Sequence, residues 1–138
     1  MQKHPTIDVP GLGPMDHAWD LLGEWETELE WPPREDPVRG RVTFRSWGEA
    51  ELQLEPDEAE SAGVPPRVTL KRASPVERTD AGGGALEWTL KASELGWRLR
   101  ATMWPGELFL FVREEDGDEE IGRARARRGA EYYAKKYP

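Results

Sequence analysis

The sequence predicts an all-β fold, an antiparallel up-and-down β-barrel of eight to ten strands with a short helical turn before it and a short helix after it. Three observations carry that prediction. Segments of alternating polarity recur from Glu24 to Arg128. Turn signals separate them every 8 to 12 residues or so. No helical crossover lies between them, so neighbouring strands must run antiparallel. Residues 1–14 read as an irregular N-terminal arm, and residues 15–138 as one barrel domain.

The arm is set by Pro5, Pro10, Gly11, Gly13 and Pro14, which break any regular pattern. Asp16 to Leu22 then predicts one or two helical turns, with Asp16 as N-cap and Gly23 as the stop. From Glu24 the period becomes two. In "EWETELEW", Trp25, Thr27, Leu29 and Trp31 take one face and Glu24, Glu26, Glu28 and Glu30 the other. Four carboxylates in a row stay ionised only on a face that meets water.

Further strands are predicted over 39–47, 49–55, 67–73, 85–92, 96–104, 105–114 and 120–128, with a short segment at 76–79. Gly48, Pro75, "RTDAGGGA" (78–85), Pro105-Gly106 and the Asp-Gly of "EDGDE" supply the turns, and "DEAESAGVPP" (57–66) reads as an acidic loop. The strand at 107–113 is apolar on both rows, with Leu108, Leu110 and Val112 opposite Phe109 and Phe111, so its outer row needs a cover. The tail predicts a short helix whose face is Ala130, Tyr133, Ala134 and Tyr137, and that face, or a dimer partner, is the expected cover.

Composition narrows the function classes. The chain of 138 residues has 33% charged residues and a net charge of −8. That charge argues against nucleic acid or an anionic membrane as partner. Seven Trp, three Tyr and three Phe supply the apolar area that a disordered chain lacks. Cysteine is absent, which removes disulfides, thiolate nucleophiles and cysteine metal sites. No run of 18 apolar residues spans a bilayer, and no apolar signal core stands near residue 1, so a cytoplasmic location is expected.

A meander opened by Gly-x-Trp, here Gly23 and Trp25 in "LLGEWE", and closed by an arginine-bearing strand resembles the calycin superfamily of lipocalins and fatty-acid-binding proteins. The same phrase is similar to the opening of bacterial lipocalin-like families of unknown function and of nitrobindin-like haem proteins. The resemblance implies that Trp25 plugs the closed end of the barrel under an arginine from the last strand. Arg123, Arg125, Arg127 and Arg128 all qualify, and Gly23, Trp25 and Arg125 are taken as the plug. Nitrobindin-like proteins ligate haem through a late histidine, whereas this chain has only His4 and His17, so no haem, other cofactor or metal is expected. The paired Arg and Tyr of fatty-acid-binding proteins is half present, since no tyrosine precedes Tyr132 in the last strand.

Inward tryptophans admit two readings. They line a pocket for an apolar or ring-bearing ligand, or they simply fill a barrel that is only just wide enough for either. On the first reading Trp31, Phe44, Leu54, Leu70, Trp88, Leu99 and Met103 contact a small hydrophobic or amphipathic ligand. On the second the barrel is solid and serves interaction or homodimerisation through Trp104, Phe109, Phe111 and the tyrosine helix. An isomerase or lyase is a third reading, but no residue nominates itself as catalytic. Ser46, Ser61, Ser74 and Ser93 sit in no nucleophile elbow. In "GRARARR" the arginines are expected outward, beside the glutamates of the first strand, because burying three unpaired guanidinium groups is very costly.

Overall fold

A computed structural model describes residues 5–79 and 84–138. The barrel is built from β3 (Gly23–Glu30), β4 (Val38–Ser46), β5 (Glu49–Leu54), β6 (Arg67–Arg72), β8 (Leu86–Ala92), β9 (Trp97–Trp104), β10 (Glu107–Glu114) and β11 (Glu120–Arg127). β7 (Glu77–Arg78) adds two residues alongside β8. Each barrel strand pairs antiparallel with the next, and the β6–β8 and β11–β3 pairings close the ring. The fold class is therefore the one the alternation predicts.

Alternation also sets what fills the ring. In β3 Trp25, Thr27 and Leu29 are buried while the glutamates between them are exposed. β5, β8 and β10 repeat the pattern, turning Leu52, Leu54, Trp88, Leu90, Leu108 and Leu110 inward. Closure sets Arg123 opposite Glu30, Arg125 opposite Glu28 and Arg127 opposite Glu26, so the basic and acidic rows meet at the seam. A one-residue slip would bring like charges and buried methyl groups to the wrong face. The shortest ion pairs of those arginines nevertheless point the other way. Arg125 reaches Glu107 of β10 at 2.7 Å, and Arg123 reaches Glu120, three residues back on its own strand, at 2.9 Å.

Four segments differ from the sequence reading. The arm read as irregular contains an antiparallel hairpin, β1 (Thr6–Val9) and β2 (Gly13–Asp16), and Val9 enters the core at 2% exposure. Pro10 and Gly11 form the turn, and Gly13 and Pro14 pair within β2. The turn before β3 is a 3-10 turn over His17–Trp19. Asp16 caps it as expected, accepting from Ala18 N–H at 2.8 Å, but it ends at Asp20, whose carboxyl is used elsewhere. The acidic stretch read as a loop folds as helix α1 (Pro56–Ala62). Glu55 accepts from the N–H groups of Asp57 and Glu58, Pro56 suits the first turn, and Gly63 closes the end in a left-handed conformation.

The fourth difference is where the tail goes. Helix α2 (Ala130–Lys136) forms, yet Ala130 and Ala134 are exposed and the helix does not lie along β10. It crosses the barrel end at which β3 begins, called here the lower end, because the chain turns inward at Arg128 directly after β11. Phe109 and Phe111 are instead covered by guanidinium groups, with Arg100 at 4.7 Å from the Phe111 ring centre and Arg125 at 5.8 Å from that of Phe109. His4 and the 80–83 part of the Gly-rich turn lie outside the described residues.

Candidate functional site

The lower end is a closed plug. Arg128 is only 9% exposed and lies between two rings, 4.1 Å from the centre of Trp25 and 4.0 Å from that of Tyr132. Its Nη1 donates to the carbonyl of Asp20 and its Nη2 to those of Leu21 and Leu22. Trp25 Nε1 donates to the Leu21 carbonyl at 2.9 Å. Five backbone and ring contacts thus hold one guanidinium, and its fixed fork suits three carbonyls better than an ammonium would. Gly23 is required here twice over. Its φ is +101°, and a Cβ would approach the Tyr132 hydroxyl to 3.0 Å.

Asp20 anchors the tail to the same plug. It is 2% exposed, and its Oδ2 accepts from Lys136 Nζ at 2.8 Å and from the Tyr137 hydroxyl at 2.7 Å. Burial alone would raise the carboxyl, but these two hydrogen bonds and the Leu22 N–H outweigh it and hold it below the usual range. Burial and the hydrogen bond to Asp20 push the Tyr137 hydroxyl up to about 12. His17 stacks on Tyr137 with ring centres 4.6 Å apart. Asp20, Lys136 and Tyr137 thus satisfy one another, while His17 Nδ1 is buried without a hydrogen-bond partner among the described residues.

Of the plug residues, Gly23 and Trp25 lie where the sequence reading puts them, but Arg125 does not join them. It is outside the barrel on Glu107, and Arg128 takes the place over Trp25. The signal was available. Gly122, Ala124, Ala126 and Arg128 share one parity, so the inward row read one step further selects Arg128. Asp20, Tyr132 and Lys136 carry no comparable local signal.

Of the residues expected to line the lumen, Phe44, Leu54, Leu70, Trp88, Leu99 and Met103 all point inward and pack together, none more than 5% exposed. Trp88 stacks obliquely on Trp47 with ring centres 5.5 Å apart, and its Nε1 has no hydrogen-bond partner among the described residues. Trp31 is half-buried at the upper end, with its ring 5.0 Å from that of Trp97. It lies flat against Gly122, where any Cβ would overlap the indole. The helix α1 is held to β4 by Arg39 and Glu58, whose 2.8 Å pair pulls the Glu58 carboxyl down to about 2. Ala59 of that helix is fully buried.

Clefts occur on the outer wall. One of about 550 Å³ crosses β8, β9 and β10, with Arg98, Arg100, Phe111 and Arg113 along it and Glu77 and Glu87 at one end. Another, of about 400 Å³, lies over the charged seam between β4, β3 and β11.

The fold defines a class, the closed antiparallel eight-stranded barrel, and its geometry is compatible with a calycin-like architecture. No family model, curated protein or solved structure matches the chain.

Proposed function

We propose that the protein is a non-enzymatic binding module built on a solid barrel, which engages its ligand or partner on the outer wall rather than inside. One observation supports this reading above the others: the inward side chains are buried against one another. A lumen ready for a ligand leaves its lining open to a water-sized sphere, whereas Phe44, Leu70, Leu99 and Met103 are at 1% exposure or less. Both ends add to it, since Trp25 under Arg128 seals one and Trp31 against Trp97 narrows the other.

The test is uptake of a neutral apolar fluorophore, N-phenyl-1-naphthylamine, followed by energy transfer from tryptophan. The expected result is no saturable signal. Stoichiometric uptake that disappears in Met103→Trp, which fills interior volume, would overturn the reading.

A second reading keeps the lumen as the site of a small apolar or amphipathic ligand. The observation favouring it is the Trp88 N–H, buried in the interior without an acceptor. A buried indole N–H normally finds a partner, and a ligand oxygen beside it would supply one. On this reading Trp31, Phe44, Leu54, Leu70, Trp88, Leu99 and Met103 separate to admit the ligand, and α1 moves off the upper end.

A further inference from the structure

The outer wall in and around the groove across β8, β9 and β10 carries three pairs of cations and one pair of carboxylates that face each other directly. Arg98 stands opposite Arg113 on one side and Lys91 on the other, and Lys91 stands opposite Lys71, so four cations form one row across four strands. At the far end of the groove Glu77 stands opposite Glu87. Like charges directly opposite in a sheet destabilise it, and this chain has a net charge of −8 with many carboxylates to spare.

Two of those carboxylates bound the row, Glu49 opposite Lys71 and Glu120 opposite Arg113. Lys91 is paired with Glu115 at 3.0 Å, and Glu120 on the rim is taken by Arg123. Arg98, Arg100 and Arg113 hold no ion pair among the described residues, and Arg98 Nε is buried without an acceptor. Arg100 is steadied by its stacking on Phe111, which fixes the direction of its fork. At the other end Glu77 and Glu87 are equally without ion pairs among the described residues. Glu87 is two residues from Thr89, which faces Arg100, so roughly 7 Å of strand separates the acidic end from the nearest arginine. The groove therefore holds three guanidinium groups without ion pairs among the described residues, with Asp118 and Glu120 on its rim and Glu77 and Glu87 at its far end.

We infer that this groove is a binding site for a small zwitterion, an oxyanion head held by Arg98, Arg100 and Arg113 and an amine directed at Glu77 and Glu87. Forked guanidinium groups suit a carboxylate or phosphate, and paired carboxylates suit an ammonium. The inference rests on the outer-wall reading above and assigns that reading a site and a ligand class.

The experiment titrates the full chain with phosphoethanolamine by calorimetry at low salt, with inorganic phosphate and ethanolamine as separate probes. Saturable binding of phosphoethanolamine is expected, with inorganic phosphate weaker by about tenfold. Arg98→Gln with Arg113→Gln should abolish both, and Glu87→Gln should remove the difference between them. Without ligand, Arg98→Gln should melt no lower than the parent, because it relieves the repulsion with Arg113 and Lys91. Absence of saturation, equal affinity for phosphate and phosphoethanolamine, or a lower melting temperature for Arg98→Gln would each overturn the inference. Its failure is separable from that of the solid barrel, since the fluorophore reports on the interior alone and the zwitterion titration on the groove alone.

Discussion

The guanidinium of Arg128 lies 4.1 Å from the centre of the Trp25 ring, and the two residues share the Leu21 carbonyl as acceptor. This contact joins the first barrel strand to the residue that follows the last one. It locks the barrel where it closes, and it sets the starting direction of α2.

Replacing Arg128 should therefore cost more than any surface arginine. Arg128→Ala removes charged donors from three carbonyls and should destabilise the protein by about 3 kcal/mol in urea unfolding. Arg128→Lys should recover less than half of that, because one ammonium cannot serve the same fork of acceptors. Arg127→Ala, one residue away and exposed, serves as the control.

The tail should release at both extremes of pH. Asp20 is held below its ordinary 3.8, so its contribution is present above that value and lost as pH falls through the folded one. Tyr137 is raised from 10.0 to about 12, so its contribution is complete below 10 and lost as pH rises through about 12. Lys136 acts in the same alkaline direction, since burial lowers it but the hydrogen bonds to Asp20 and Tyr132, with the Asp20 charge, together outweigh that and raise it. Near-ultraviolet circular dichroism of the tyrosines should show both transitions, and Asp20→Asn should flatten them.

Gly122 should tolerate no side chain while Trp31 is present. Gly122→Ala forces the indole off the strand and should cost about 2 kcal/mol. In a Trp31→Ala background most of that cost should vanish, and the coupling is read from a double-mutant cycle in denaturant. Equal costs in both backgrounds would refute the contact.

The charged seam should be a device of register more than of stability. Arg125→Glu sets a carboxylate opposite Glu28 and beside Glu107, and should cost about 1 kcal/mol at low salt, fading as salt screens it. Adding Glu107→Arg should restore most of the loss.

Much of the barrel was legible in the chain itself. Strands with one wet face must alternate, so "EWETELEW" and "ALEWTLKA" declare their inward residues without any partner. The helix α1 was legible as well, in Glu55, Pro56 and Gly63, although its acidic composition disguises it as a loop. The position of α2 was not, because an amphipathic face names no receiver, and Tyr132, which does most of the docking, lies off the expected face. The groove across β8, β9 and β10 was invisible too, since Lys71, Lys91, Arg98 and Arg113 are neighbours only through strand pairing.

The sequence by itself determined the strand content, the inward and outward rows, the wet glutamate face and the turns, because each follows from local periodicity and the cost of burying charge. Tertiary structure alone decided that α2 crosses the lower end, that Asp20 gathers Lys136 and Tyr137, and that unpaired arginines share one groove. Those depend on where the chain turns after its last strand, on which groups that turn brings within hydrogen-bond reach, and on which residues the register sets side by side.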